Sequence, residues 1–264
     1  MNFYFAYVIY VFLCGLLLVL HWDVKVGEDE TKGWFESSTL IVIAHPDDET
    51  MFFGPLLVSL ISNSPDKIFI LCLTSGDFYG LGAIRSIELI TAVQQIGLPK
   101  VNLFLTDQFR DGFDQHWNSS LISLIVEEKI RNHNITHVIT FDEFGVSHHP
   151  NHRDTHSFIK VFSSSSGQLA TSVKFFLLES VSLHRKYLSF LDIPISLIDI
   201  EINDWLSNHK YPNQRKWFFG LTPSKYLKLV RALYAHESQM VWFRKVYSIL
   251  SRYMFMNTLT DYNR

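Results

Sequence analysis

Residues 40–49 of the chain read Leu-Ile-Val-Ile-Ala-His-Pro-Asp-Asp-Glu, so an apolar run leads directly into imidazole and carboxylate groups. The run 40–44 is apolar throughout rather than at alternate positions, which predicts a strand buried on both faces, as in a parallel sheet. His45 and Asp48 lie three residues apart on the turn that follows, so both side chains can face one point. The stretch therefore predicts a parallel sheet with polar chemistry at the carboxyl end of a strand.

Apolar runs and segments of helical periodicity alternate along most of the chain. The predicted strands are 40–44, 68–74, 101–105, 137–141 and 173–178, and the predicted helices are 49–62, 82–96, 119–132 and 152–165. Residues 203–223 are predicted to form a loop region, and 222–257 two more helices. This order predicts an α/β fold with a Rossmann-like, doubly wound, mostly parallel sheet. The catalytic domain is predicted to span residues 39–264.

Polar clusters follow four of the predicted strands, at residues 45–49, 75–77, 106–114 and 142–156. In an open parallel sheet, ligands bind beyond the carboxyl ends of the strands. We therefore expect the four clusters to form one site at that edge of the sheet.

The last of these clusters contains four histidines, His148, His149, His152 and His156. A catalytic zinc site takes three protein ligands and keeps one position open. His45, Asp48 and one of these histidines would supply such a set for Zn²⁺ or another divalent cation. A bound ion lowers the pKa of water, a spare carboxylate takes the proton, and a second histidine stabilises the oxyanion or protonates the leaving amine. The alternative for the acids after strand 40–44 is a loop that caps the next helix.

The same residues carry a resemblance to a known family. The run 44–49 with a distal His149-Pro-x-His152 resembles the zinc-dependent, LmbE-like sugar de-N-acetylases. Further motifs are similar to the eukaryotic branch, which acts on N-acetylglucosaminyl-phosphatidylinositol in the synthesis of glycosylphosphatidylinositol anchors. They are Thr74–Asp77 with Gly80, Gly82, Arg85 and Glu88, then Thr140–Ser147, and His236–Tyr247 with Ser251–Met254.

The resemblance implies roles for individual residues. His45, Asp48 and His152 would be the metal ligands, Asp47 the general base and His149 the electrostatic or acid group. His148 stands where the eukaryotic pattern often has glycine, and the spacing to His152 favours His149 for the acid role. The resemblance also implies a glycolipid substrate and an endoplasmic reticulum membrane protein whose catalytic domain faces the cytoplasm.

Four further residues are candidates for substrate binding. Arg85 would meet the substrate phosphate, because a guanidinium binds phosphate in a bidentate way; the alternative is a surface ion pair with Glu88. Asp77 and Asp111 would accept hydrogen bonds from sugar hydroxyls. His236 would line the pocket, or it would be a capping or core histidine. The aromatic residues around Arg244 and Arg252 are interpreted as packing on the sheet rather than lying at a membrane surface.

Residues 3–20 carry no charge and are long enough to cross a thin bilayer. They predict an uncleaved membrane anchor at 1–21, followed by a polar linker at 22–38. Lys25 and Lys32 follow the segment and no basic residue precedes it, which favours a single-pass protein with a cytoplasmic domain. Residues 205–264 carry ten Lys/Arg against two acids, which suits an anionic surface.

Other classes of protein fit less well. Nucleic acid is not expected as a partner, because the net charge of the chain is −3 and nucleic-acid motifs are missing. A dinucleotide site is disfavoured because Arg85 stands where the third glycine of that fingerprint is needed. A metal-dependent phosphoesterase and a non-enzymatic membrane scaffold remain as alternatives.

Overall fold

The computed structural model describes residues 33–165, 167–209 and 215–262. The predicted membrane anchor at 1–21 and most of the predicted linker lie outside the described residues. Within those ranges, no helix combines the length and the apolar character needed to cross a membrane.

Strands and helices alternate along the chain. The strands are β1 Thr39–Ile43, β2 Ile68–Cys72, β3 Leu103–Leu105, β4 His137–Phe141, β5 Lys174–Leu178, β6 Lys216–Gly220 and β7 Met256–Asp261. The helices are α1 Asp48–Met51, α2 Gly54–Asn63, α3 Gly82–Gln95, α4 Ser119–His133, α5 Gly145–His148, α6 Pro150–Ser165, α7 Gly167–Ser172, α8 Leu183–Lys186, α9 Asp192–His209, α10 Pro223–Tyr234 and α11 Trp242–Leu250. Short 3₁₀ turns occur at Pro65–Lys67, Asp77–Tyr79, Lys100–Asn102, Ser189–Leu191, Glu237–Gln239 and Arg252–Met254.

The strands form one sheet in the order β3-β2-β1-β4-β5-β7-β6. β1 pairs in parallel with β2 on one side and with β4 on the other. β3 and β5 extend the parallel part, whereas β7 is antiparallel to both of its neighbours. The chain order reverses between β1 and β4, and this is the position where open α/β sheets bind their ligands. The predicted α/β fold with a mostly parallel sheet is confirmed.

Both faces of the sheet are covered, because successive side chains of a strand point to opposite sides. Ile41 and Ile43 of β1 pack into one core with helices α2 and α3. Leu40 and Val42 pack into a second core, which holds apolar side chains of α4 and α6. This two-sided burial explains why the strand is apolar at every position.

The predicted helix 49–62 is divided into α1 and α2. The side chain of Asn257, on β7, lies at the break: its amide nitrogen donates to Phe52 O at 2.7 Å and its oxygen accepts from Leu56 N at 3.0 Å. A distant strand therefore satisfies the backbone groups that the interrupted helix leaves free.

The predicted loop region 203–223 is wrong for much of its length, since α9 extends into it and β6 forms within it. β7 was also absent from the prediction, because Asn257 and Thr258 look like solvent-exposed residues although both are buried. Their polar groups are hydrogen-bonded inside the protein, so composition gave no sign of their burial. Residues 33–36 are helical rather than part of a polar linker, and Trp34 is only 2% exposed.

Candidate active site

The turn after β1 directs three successive carboxylates in different directions. Asp48 Oδ2 accepts hydrogen bonds from the backbone N–H of His45 at 2.8 Å and of Ala44 at 3.1 Å. Glu49 Oε2 accepts from the backbone N–H of Asp47 at 2.9 Å. Asp47 itself has φ of +113°, in the left-handed region, which costs a non-glycine residue about 1–3 kcal/mol. The turn is therefore strained but well bonded, and its carboxylates are buried.

Three histidines converge opposite this turn. Ligand nitrogens of His45, His149 and His152 all lie within 4.8 Å of one another. Asp48 joins them, because its Oδ1 lies 3.3 Å from His152 Nε2 and its Oδ2 lies 3.7 Å from His45 Nδ1. The structure thus brings together the three predicted ligands and also His149, which was predicted to be the acid. Nitrogen and carboxylate oxygen donors suit a zinc ion, so these side chains could hold one.

Contacts on the side of the ring away from the cluster fix the orientation of His152. Its Nδ1 is 3.0 Å from Gly145 O, which leaves Nε2 directed at the site. Its ring also stacks on Phe141, with ring centroids 4.2 Å apart. Gly145 has φ of +61°, and a Cβ at this position would lie 2.6 Å from the Cβ of His152. Glycine is therefore required at residue 145, both by the backbone conformation and by the space that the imidazole occupies.

His45 lies between acidic groups. Its Nε2 is 3.0 Å from Asp111 Oδ1 and 3.1 Å from Asn151 Oδ1. Burial lowers the pKa of His45, but hydrogen bonds to Asp111 and Asp48 outweigh it and raise the pKa to about 10. Burial raises the pKa of Asp48, yet the charge of His152 holds it well below its usual value. Both shifts arise because buried carboxylates face the imidazoles, and a positive charge, either the proton on His45 or a bound cation in its place, balances them.

His149 differs from the other two histidines because it is only partly buried. Burial lowers its pKa to about 4, and the charges of His45 and His152 act in the same direction. His149 is therefore a neutral imidazole at pH 7. His148 is exposed and lies outside the cluster, and His156 is hydrogen-bonded to Phe141 O instead.

Asp47 is held by two arginines. Arg85 Nη2 donates to Asp47 Oδ2 at 3.3 Å, and Arg244 Nη1 donates to the same oxygen at 2.5 Å. Two guanidinium groups stabilise the ionised carboxylate and fix its position. Arg244 was not among the predicted site residues, although it belongs to the closing motif 236–247 of the sequence.

Arg85 donates hydrogen bonds to four acceptor groups of the protein. Besides Asp47, it donates to Gly76 O at 2.9 Å, Pro46 O at 2.8 Å and Asp111 Oδ2 at 3.4 Å. Its role in binding phosphate stays a prediction. The alternative, a surface ion pair with Glu88, is wrong: both residues are buried, and Glu88 accepts hydrogen bonds from Ser238 instead.

Two predicted substrate-binding residues, Asp77 and His236, do not line the cavity next to the cluster. Asp77 Oδ1 accepts from Gly82 N at 2.7 Å, so it stabilises the start of α3. His236 is completely buried behind the turn and pairs with Glu49 Oε1. Burial lowers the pKa of His236, but Glu49 raises it above its ordinary value. The geometry fits the alternative of a core histidine, because a side chain with no exposed surface cannot contact substrate in this conformation.

A cavity of about 260 Å³ opens onto the cluster. Its lining includes the predicted residues His45, Asp47, Asp48, Arg85, Asp111, His149 and His152, and also Phe78, Tyr79, Phe113, Ser147, Gln239 and Arg244, which had not been predicted. The aromatic residues among them lie on a short 3₁₀ turn and a loop, neither of which has a periodic pattern, so the sequence offered no signal for their position. The arrangement can bind a small polar group, activate water and stabilise an oxyanion.

A larger groove of about 1080 Å³ lies between α3 and α10, with Ile84, Ile87, Lys228 and Arg231 in its lining. It contains no histidine and none of the predicted site residues. Volume alone does not identify a reaction centre, and the smaller cavity holds the acid, base and candidate ligand groups.

Comparison with known proteins places the chain in a family. The GlcNAc-PI de-N-acetylase (PIG-L) family model matches residues 40–163. The N-acetylglucosaminyl-phosphatidylinositol de-N-acetylase of Bos taurus is 35% identical over 84% of this chain and 83% of its own. A probable enzyme of the same name from Schizosaccharomyces pombe is also 35% identical, over 84% of this chain and 86% of its own.

A solved structure with the same fold is the N,N'-diacetylchitobiose deacetylase of Pyrococcus horikoshii, complexed with its inhibitor MPG. The match has a TM-score of 0.57 and 15% identity, and it covers 89% of this chain and 84% of that one. At this identity the likeness concerns the fold alone.

Proposed function

Because the chain belongs to the N-acetylglucosaminyl-phosphatidylinositol de-N-acetylase family, we propose that its pocket hydrolyses the N-acetyl amide of N-acetylglucosaminyl-phosphatidylinositol. Water attacks the acetyl carbonyl, the C–N bond breaks, and the products are acetate and glucosaminyl-phosphatidylinositol. The observation that supports this most is the meeting of His45, Asp48, His149 and His152 at the β1–β4 switch point, next to the buried carboxylate of Asp47.

We assign zinc as the resident ion, with His45, Asp48 and His152 as its ligands. When bound, the ion would polarise the acetyl carbonyl and lower the pKa of the attacking water. The nitrogens of His149 lie within the same 4.8 Å group, so His149 is the other candidate ligand.

Asp47 takes the proton of the attacking water. Arg85 and Arg244 hold its carboxylate from one side, which keeps the oxygens in a fixed position at the edge of the pocket. Such positioning matters because proton transfer requires hydrogen-bond contact with the reacting water. After the attack, the same proton is available for the leaving amine.

His149 stabilises the oxyanion. It is neutral at pH 7 because its pKa is lowered to about 4, chiefly by burial. A neutral imidazole donates one hydrogen bond through its N–H group, and a donor aimed at the developing negative charge lowers the barrier.

The pocket has room for the sugar end of the substrate only. Its volume of about 260 Å³ lies below the range of about 300–1,000 Å³ found for sites that enclose drug-sized ligands. The lipid tails therefore stay at or beyond the mouth. This fits a protein of the endoplasmic reticulum membrane, anchored once through residues 1–21, with its catalytic domain facing the cytoplasm.

The first experiment is an acetate-release assay with N-acetylglucosaminyl-phosphatidylinositol. The full chain is compared with Asp47→Ala and with a chelator-treated sample, and zinc content is measured in each. We expect activity that zinc restores after chelation, and a loss of at least about 10²-fold in Asp47→Ala with metal retained. Bound metal without acetate release would reject the substrate and bring phosphoesterase substrates forward. A chain that binds no metal would favour a non-enzymatic scaffold.

A further inference from the structure

Helix α11, Trp242–Leu250, has its polar and apolar faces reversed relative to an ordinary surface helix. Tyr247 and Ser248 are buried, and Arg244 faces the pocket. The opposite face is apolar and exposed; it consists of Trp242, Phe243, Val246, Ile249 and Leu250, which are 76%, 55%, 43%, 61% and 43% exposed. Trp242, Val246 and Ile249 are spaced i, i+4, i+7, and Phe243, Val246 and Leu250 are spaced i, i+3, i+7. Residues at these spacings lie on one side of a helix. We call this stripe the outer face of α11.

The inward contacts fix which face is exposed. Arg244 donates to Asp47, and the Tyr247 hydroxyl donates to Met51 O at 2.7 Å. Both acceptors belong to the turn and helix that follow β1. The helix cannot rotate its apolar face inward without breaking these contacts, so the exposure of the outer face is a consequence of the site geometry.

Exposed aromatic residues also surround the mouth of the pocket. Phe78, Tyr79 and Phe113 line it and are 53%, 80% and 67% exposed. Because Arg244 lines the same pocket, helix α11 and these rings border one cavity. Aromatic side chains of this kind are enriched where proteins meet the interface of a bilayer.

Helix α9, which follows a turn packed against α11, also carries exposed apolar side chains. Ser189 Oγ donates to Ile249 O at 2.8 Å, so the turn that precedes α9 lies against the end of α11. Along α9, Ile195, Ile198 and Ile202 are exposed at a spacing of three and four residues. Large contiguous apolar patches are rare on monomeric soluble proteins and mark sites of contact with a protein or a membrane.

We propose that the outer face of α11, together with the aromatic rim of the pocket, docks on the surface of a lipid bilayer. This inference rests on the proposed function, because the proposed substrate carries its lipid tails in that bilayer. An amphipathic helix at a bilayer buries its apolar face about 5–10 Å into the boundary of headgroups and acyl chains. The pocket would then open beside the headgroup layer, and the sugar would reach Asp47 while the tails stay in the membrane.

The charges favour a lipid surface over a second protein. Residues 242–250 contain no acid, and Lys245 is exposed, whereas Arg244 is paired with Asp47 in the pocket. Helix α10 packs against α11, since the Tyr226 hydroxyl donates to Ser248 O at 3.0 Å, and it carries Lys225, Lys228 and Arg231. Basic residues beside an apolar stripe attract anionic headgroups such as phosphatidylinositol.

A fluorescence experiment on the full chain tests the contact directly. In a Cys14→Ser background, where Cys72 is buried, an environment-sensitive dye is attached through Val246→Cys or, as control, through Leu124→Cys. Leu124 is 64% exposed but lies on α4, on the other side of the sheet. In vesicles of phosphatidylcholine and phosphatidylinositol, lipids that carry a quencher should reduce emission at residue 246 several-fold more than at 124.

Two outcomes would overturn the proposal. Quenching at residue 246 by aqueous iodide, equal to that at 124, would show that the face stays in water. Protection from both quenchers would show that residues 3–20 or a second copy of the chain covers it.

A kinetic comparison gives an independent readout. The triple variant Trp242→Ser, Phe243→Ser and Ile249→Ser should raise the KM for substrate in vesicles about tenfold. It should leave kcat/KM unchanged for the water-soluble headgroup without lipid tails. The matched control is Val101→Ser with Leu124→Ser, since both residues are exposed elsewhere. Equal loss on both substrates would make the face structural and contradict the proposal.

The proposed function can fail separately. If the wild-type chain released no acetate from either substrate, the assigned reaction would be rejected. The quenching experiment would still decide whether α11 contacts the bilayer.

Discussion

The turn after β1 and helix α11 approach the pocket from two sides, and they hold their charged groups by different means. In the turn, Asp48 is bonded by backbone N–H groups only three and four residues away. On α11, Arg244 reaches Asp47 across 197 residues of sequence. Local bonds form whenever the turn forms, whereas the arginine contact requires the completed tertiary structure. The polar pocket thus has one locally determined wall and one that depends on packing.

The largest effect is expected from the local wall. Asp48→Asn removes a charge that faces His45 and His152, so we expect loss of bound metal and a fall in acetate release of about 10³-fold or more. Asp77→Asn is the matched control, because Asp77 also follows a strand but bonds Gly82 instead of the cluster. Metal content and acetate release are measured on both variants. Retention of full metal by Asp48→Asn would remove Asp48 from the ligand set.

A smaller loss is expected from the wall that depends on packing. Arg244→Ala should lower kcat about 10–10²-fold while metal content is retained, since it removes one of the two guanidinium groups that hold Asp47 and leaves the histidines untouched. Arg244→Lys should recover part of the activity, because it restores the charge but not the geometry of the guanidinium.

A double-mutant cycle with Asp47→Asn sharpens this comparison. We expect the two losses of activity to be strongly non-additive, because Arg244 acts through the same carboxylate that Asp47→Asn removes. Additive effects would show that Arg244 acts on something other than Asp47.

The packing of Gly145 against His152 should contribute to the free energy of unfolding. Gly145→Ala is expected to reduce the free energy of unfolding by about 2–3 kcal/mol and to weaken metal binding, because the added Cβ meets His152. Gly80→Ala is the control: its φ is also positive, +72°, but nothing lies within 4 Å of the new Cβ. It should therefore lose about 1 kcal/mol, from the backbone conformation alone. Urea denaturation measures both, and equal losses would argue against the steric explanation.

The smallest effect is expected far from the pocket, at His137. Its pKa is lowered to about 4, by burial and by the charge of Lys174. Because the unfolded chain protonates near pH 6.5 and the folded chain only near 4, the unfolded state binds more protons as the pH falls between these values. The stability contributed by neutral His137 is therefore present above pH 6.5 and is lost as the pH falls toward 4.

This dependence is measured as a difference between variants. His137→Phe keeps an aromatic ring beside Phe176 and should lose stability less steeply between pH 6.5 and 4 than the wild type. His116→Gln, at an exposed histidine, should follow the wild type. Parallel curves for all three proteins would show that His137 does not titrate as described.

Much of the core and of the cluster could be predicted from the sequence. The apolar runs at β1, β2 and β4 are long enough to specify buried parallel strands, and parallel strands place their carboxyl ends at one edge of the sheet. His45, Asp48 and a histidine of the cluster 148–156 meet for that reason, and the family resemblance singled out His152 among those histidines. The family resemblance added the substrate class, and the similarity to curated relatives supports it.

Other features depend on contacts between residues far apart in the chain. Asn257 closes the break between α1 and α2, Arg244 meets Asp47, and His236 is buried against Glu49. Prediction from the hydrophobic pattern assumes that polar residues are exposed and apolar residues are buried, and α11 is an exception to this assumption. Its aromatic residues were predicted to pack on the sheet, yet Trp242 and Phe243 are exposed because the pocket requires the arginine on the inner face. The sequence determined which elements form and which chemistry they carry; the tertiary structure alone decided which partners bury the polar groups and which apolar face remains outside.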